Sequence, residues 1–163
     1  MIIMGIDPGL ATVGFGIVAC DRGKNFKAHE YGAVLTPAGR KTEDRLAEIY
    51  ENIDELVKTT HPDAVSIEKL FFNTNEKTAI NVAQARGVIL LAVRMNNVPI
   101  YEYTPLQIKQ AVTGYGRADK KQIMYMVKTL LSLKSEPHPD DTADALAAAI
   151  CHGYSASSML FGL

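Results

Sequence analysis

Four carboxylates carry the chemistry this sequence offers: Asp7, Glu68, Asp141 and Asp144. Asp7 ends an apolar run in "MGIDPGLATVGFGIV", residues 4–18, at a place where an unpaired charge is expensive. Two readings stand open for that stretch alone. Asp-Pro-Gly suits a tight turn, and an acid at the end of a buried strand also suits a metal ligand or a phosphate-handling group. Glu68 ends a second strand-like run, "PDAVSIE", residues 62–68. In "HPDDTADALAAAICH", residues 138–152, Asp141 and Asp144 are spaced i, i+3 and so share one face of a helix. Asp140 and Asp141 fall in the first helical turn, where acids complement the helix dipole. That effect accounts well for Asp140 and poorly for Asp144.

If the first and fourth strands lie parallel and adjacent, Asp7 and Glu68 project beyond the same sheet edge, where ligand sites of open α/β sheets sit. Four acids brought together repel unless cations neutralise them. Oxygen donors without a Cys or His cluster select Mg²⁺ or Mn²⁺ over Zn²⁺. Two such ions balance four carboxylates, and paired ions clamp the attacking and leaving oxygens in phosphoryl transfer. On that arrangement Asp7 is partnered by metal.

The elements that must position these acids follow from the hydrophobic periodicity. Residues 1–7, 13–20 and 26–35 read as three strands joined by tight turns, an antiparallel meander. Residues 42–59 carry helical spacing (Leu46, Ile49, Tyr50, Ile53, Leu56, Val57), with Thr42 as the expected cap. A strand at 62–68, a helix from about 75 to 95, a strand at "PIYEY" and helices near 105–113, 119–133 and 140–153 complete the chain. The expected fold is α/β, a mixed five-stranded sheet flanked by helices, in a single domain spanning 1–163. The helix around 79–95, "AINVAQARGVILLAVRM", is apolar around most of its circumference in its second half, unlike a helix with one core-facing stripe. Its outer face is expected to meet a second copy of the chain.

Charge narrows the partners. The net charge is −1, which by itself argues against nucleic acid, but its distribution is uneven. Residues 43–55 are acidic, whereas 105–134 gather Lys109, Arg117, Lys120, Lys121, Lys128 and Lys134 against Asp119 alone. With the four metal-compensated acids set aside, the remainder is net basic. The two cysteines, Cys20 and Cys151, lie in apolar segments without metal-type spacing and are expected to be buried reduced thiols. No run reaches a membrane span and no leader precedes the first strand, so a cytoplasmic protein without membrane contact is expected.

Taken together, "GIDPGLATVGFGIV", "IEKLFFNTNEKTAINVAQARGVILLAV", "YTPLQIKQAVTGYGRADKKQI" and "DDTADALAAAICH" resemble the RuvC family of Holliday-junction resolvases, within the ribonuclease-H-like fold. The first motif alone also opens sugar-kinase and actin-like ATPases. All four, in this order and spacing, cover essentially the whole chain. The resemblance implies Asp7, Glu68, Asp141 and Asp144 as catalytic metal ligands for Mg²⁺, with Mn²⁺ able to substitute. It implies a homodimer that cuts two strands of four-way junction DNA symmetrically by two-metal phosphodiester hydrolysis, leaving 5′ phosphate and 3′ hydroxyl. A branch-migration motor is the partner the family suggests.

Lys109 and Lys120 match positions where the family places basic residues near the scissile phosphate. Lys121, Arg117 and Arg86 are further candidates for backbone contact. In "KLFFNTNEK", residues 69–77, Phe71 matches a family position that wedges against unstacked bases, and Phe72 departs from a single-aromatic pattern. His138, just before a helix, serves equally as an added base or as a solvent-facing turn residue, and stays outside the catalytic set. A ribonuclease-H-like nuclease acting on RNA would share the acids without needing the aromatic loop or the basic segment. A non-cleaving junction binder would not need the acid quartet. An ATPase of the actin type needs a second such domain, for which 163 residues leave no room.

Overall fold

The computed structural model describes residues 1–70 and 76–161. Strands β1 (Ile2–Asp7), β2 (Thr12–Asp21) and β3 (Asn25–Leu35) form the expected meander. Helix α1 (Thr42–Thr60), strand β4 (Ala64–Glu68), helix α2 (Glu76–Met95) and strand β5 (Ile100–Tyr103) follow. Helices α3 (Pro105–Thr113), α4 (Lys120–Leu130) and α5 (Asp140–Phe161) complete the order. The five strands lie in the order β3-β2-β1-β4-β5, antiparallel in the meander and parallel from β1 through β4 to β5.

Each face of this sheet buries its own apolar cluster. On one side Met4, Ile6, Val65 and Ile67 alternate toward α1 and α2, meeting Ile49, Ile53, Ala85 and Ile89. On the other Ile3, Val18 and Tyr103 meet α5 and the α3–α4 pair through Leu146, Ile150, Ile108, Ile123 and Val127. The period-two alternation of the strands decides which side each residue serves. Asp7 and Glu68 accordingly face α5, in step with Ile3 and Ser66.

Local signals set several boundaries. Thr104 and Asp119 each accept from the backbone N–H three residues on, and Gln107 and Gln122 reach back to close reciprocal capping boxes. The expected cap Thr42 is instead the first residue of α1; Lys41 occupies the cap position without a side-chain hydrogen bond. The helix begins one residue early because the extended backbone ends at Lys41. Helix α4 ends three residues before the expected 133, and α5 runs on to Phe161, past the expected 153. Both cysteines are buried and free, and burial pushes the Cys151 thiol up to about 11. Among the described residues no helix is long and apolar enough to cross a membrane.

Candidate active site

The sheet register builds the site. Parallel pairing of β1 with β4 matches Gly5 to Ser66 and Ile6 to Ile67, so Asp7 and Glu68 come level at the C-terminal edge. Across the other side of β1, Asp7 pairs with Gly14 of β2. Gly14 is where α5 lands: a Cβ placed there would lie 2.0 Å from the Asp141 carbonyl oxygen. Gly5 meets the same helix one turn on, with an added Cβ only 1.9 Å from the Ala145 carbonyl. Neither strand position can carry a side chain while α5 stays where it is. The glycines and the run Ala147-Ala148-Ala149 bring helix and sheet close enough for Asp141 and Asp144 to join Asp7 and Glu68.

Three hydrogen bonds, two buried and one partly buried, fix the axial position of α5. The Thr142 hydroxyl donates to the Gly32 carbonyl at 3.0 Å, and the Ser66 hydroxyl donates to the Ala148 carbonyl at 2.6 Å. The Tyr103 hydroxyl pairs with His152 Nδ1 at 2.8 Å. A smooth alanine face on a glycine floor has few ridges to resist sliding, and these bonds supply the missing register. Sequence inspection gave no sign of them, because their partners lie 49 to 110 residues apart.

The acids sense one another. Burial, then the charges of Asp144, Asp141 and Glu68, push the Asp7 carboxyl up to about 8 against the opposing pull of Lys120. Burial and Asp144 raise Glu68, with Lys109 pulling it down. Burial raises Asp144 as well, opposed by Lys120. Lys120 Nζ stands 3.1 Å from Asp140 and 3.4 Å from Asp144. Burial draws its ammonium down, but these two acids outweigh burial and hold it above the usual lysine range. A cleft of about 290 Å³ opens here, lined by Glu68, Lys109, Lys120 and Asp144 over an apolar floor of Ile108, Ile123 and Ala147.

The donor set suits hard divalent cations: carboxylate oxygens, excess negative charge, and a carboxyl raised by burial and then by its neighbours' like charge. Among the described residues no three His, Cys, Asp or Glu side chains are already gathered into one ion-sized cluster. Glu68 and Asp144 line the cleft, and Asp7 is close enough to Glu68, Asp141 and Asp144 for their charges to raise its carboxyl after burial does.

The basic candidates divide. Lys109 and Lys120 line the cleft, while Arg117 and Lys121 are exposed on the α3–α4 turn and the start of α4. Arg86 is placed differently from these four. Its side chain is 15% exposed and ion-paired to Glu102 of β5, and its Nε finds no partner among the described residues. This pair ties α2 to β5. Phe71 and Phe72 lie outside the described residues. His138 is exposed ahead of α5.

Comparison with known proteins agrees with this geometry. The family model "Crossover junction endodeoxyribonuclease RuvC" matches residues 3–152. The chain is 59% identical over 155 residues to the crossover junction endodeoxyribonuclease RuvC of Clostridioides difficile, covering 95% of this chain and 91% of that one. Identity to the Caldicellulosiruptor saccharolyticus protein of the same name is 52% over 161 residues, covering 99% and 97%. Among solved structures, Thermus thermophilus RuvC in complex with Holliday junction substrate superposes with a TM-score of 0.91 at 35% identity, over 98% of this chain and 96% of that one. The yeast mitochondrial Holliday junction resolvase Ydc2, at 10% identity and a TM-score of 0.69, shares the fold. The strand order, the acids at one sheet edge and the matched length agree, and the chain belongs to the RuvC family of crossover junction endodeoxyribonucleases, with the ribonuclease-H-like fold of that family.

Proposed function

We propose that this chain resolves four-way DNA junctions in recombination and repair, as a single nuclease domain cutting phosphodiester bonds with Asp7, Glu68, Asp141 and Asp144. The observation that carries this reading is the electrostatic coupling of Asp7 on β1 with Glu68 on β4 and with Asp141 and Asp144 on α5, at the sheet edge beside the cleft that Glu68 and Asp144 line. Burial first, and then the neighbouring acids, raise Asp7, Glu68 and Asp144. Divalent cations, two per subunit with Mg²⁺ favoured and Mn²⁺ able to substitute, would lower the pKa of the attacking water and offset charge on the departing 3′ oxygen. The protein's share is to hold four ligands at fixed spacing, exclude bulk water at the apolar floor, and present cations to phosphate. Lys109 and Lys120 flank the cleft and suit the non-bridging oxygens of the cut phosphate. The products would be a 5′ phosphate and a 3′ hydroxyl.

One cleft makes one nick, and paired symmetric nicks need a two-fold axis. Helix α2 offers the surface for it. Ile80, Leu91 and Met95 are 68%, 53% and 65% exposed, and an added Cβ at Gly87, on the same stripe, would meet nothing within 4 Å. Such an apolar stripe on a surface helix suits burial against its own copy. Family likeness extends the reading to a branch-migration motor as partner and the cytoplasm as compartment.

The test offers four-way, three-way, linear duplex and RNA–DNA hybrid substrates with Mg²⁺. Selective, paired cutting of the four-way form is expected. Preferential cutting of the hybrid would transfer the assignment to an RNA-directed nuclease.

A further inference from the structure

The α3–α4 turn, residues 114–119, carries an exposed aromatic that the phosphate-binding lysines beside it leave unexplained. Tyr115 is 56% exposed, and its ring makes no hydrogen bond or ring contact with the described residues. The backbone beneath it is tied down. Gly114 takes the left-handed conformation at φ 73° that caps α3, and its carbonyl accepts from the Gln110 side chain at 2.8 Å. The Tyr115 N–H donates to the Thr113 hydroxyl oxygen at 3.1 Å, and that hydroxyl lies 2.9 Å from the Tyr115 carbonyl. Leu106, itself 62% exposed, packs so closely over Gly116 that a Cβ there would lie 2.5 Å from its Cδ1. The next side chain, Arg117, is exposed and has no ion pair among the described residues.

The turn is also anchored to the cleft at both ends. Thr113 lies one helical turn beyond Lys109, whose carbonyl accepts its hydroxyl at 2.8 Å, and Asp119 caps the helix that Lys120 begins. A tied-down turn that holds Tyr115 in water beside the exposed Leu106 of α3, between the helices that carry Lys109 and Lys120, calls for an apolar ligand surface there. Phosphates satisfy the lysines and the arginine. Only the face of a base or sugar satisfies the ring. A base in a continuous duplex has its faces covered, whereas one at a strand crossover can be unstacked.

We propose that Tyr115, supported by Leu106, is a stacking platform for an unpaired nucleobase of the strand being cut, with Arg117 on the adjoining phosphate. This rests on the junction-nuclease reading and adds a base contact distinct from the aromatic segment at 71–72.

The experiment measures binding of the full chain, in EDTA, to a four-way junction carrying 2-aminopurine at successive positions beside the crossover. Tyr115→Ala is expected to weaken binding by about 5- to 100-fold, the range of a lost base–aromatic stack. The factor should be the same at every salt concentration, since no cation is removed. The 2-aminopurine signal should change at one position only, and Tyr115→Phe should stay within about twofold of the parent, because the ring supplies the contact. Wild-type binding by Tyr115→Ala overturns the platform, as does a loss in Tyr115→Phe equal to that in Tyr115→Ala. If Tyr115→Ala melts several degrees below the parent, the ring is structural and the proposal falls. Absence of any junction preference in the parent chain would instead defeat the nuclease reading itself.

Discussion

The two faces of the sheet are packed by opposite strategies. Toward α1 and α2 the contacts are branched and bulky, Ile6, Val65 and Ile67 against Ile49, Ile53 and Ile89. Toward α5 the sheet presents Gly5, Gly14 and Gly16, and the helix answers with alanines and with Leu146 seated over Gly16. The first face gains stability from buried area. The second gives up side-chain volume for proximity and recovers register through the hydroxyls of Ser66, Thr142 and Tyr103. A face that must place charges accurately is built from small residues and directional bonds, and a face with no such duty is built from hydrocarbon.

The largest effect should come from the charges themselves. Asp7→Asn is expected to abolish Mg²⁺-dependent junction cutting while junction binding in EDTA persists; loss of binding would make Asp7 structural. Next comes the floor. Gly5→Ala drives a methyl into the Ala145 carbonyl and should cost about 1–3 kcal/mol by denaturant unfolding, as overpacking does. Its cleavage rate should fall further than stability explains, and undiminished cutting would refute a positional role for the close approach. On the opposite face Ile53→Val should cost roughly 0.5–1.5 kcal/mol and leave single-turnover cleavage at saturating Mg²⁺ unchanged.

Titration sharpens the same contrast. Asp7 titrates near 8 in the folded chain against 3.8 ordinarily, so between those values the folded state holds a proton that the unfolded state has lost. Metal-free stability should therefore fall as pH rises from about 5 to 8. Glu68 and Asp144, also raised, act in the same direction. Thermal melts across that range should show the slope, and Asp7→Asn should flatten it. A slope unchanged in that variant would place the acids in independent surroundings. An effect on stability of the same size as that of Ile53→Val is expected of Ser66→Ala, about 1 kcal/mol for one buried hydrogen bond. It should be accompanied by a higher Mg²⁺ requirement for cleavage, a readout that simple destabilisation would not move.

Much of this arrangement is legible in the sequence, for identifiable reasons. Strand alternation, the paired turns and the i, i+3 acids are local signals, and they predict the strand and helix order as well as the sheet edge that gathers Asp7 and Glu68. The small-residue run after Asp144 also announces close packing. The glycine floor is harder to see, because Gly5, Gly14 and Gly16 read as weak strand residues until the helix above them is known. The hydroxyl contacts of Ser66 and Thr142 are long-range and leave no periodic trace. The Arg86–Glu102 ion pair is hidden for the same reason, because its partners belong to different elements sixteen residues apart.

The 22-residue span of α5 has a mechanical corollary. Asp141 lies seven residues ahead of the bond at Ala148, about 10 Å along the helix axis. Pivoting there by about 5° would swing that carboxylate by roughly 1 Å, a misplacement that can lower a rate about 10²-fold. Two holds oppose such a swing, Ser66 on the Ala148 carbonyl and Thr142 on the Gly32 carbonyl beside Asp141 itself, so the carboxylate's place depends on both ends of this span.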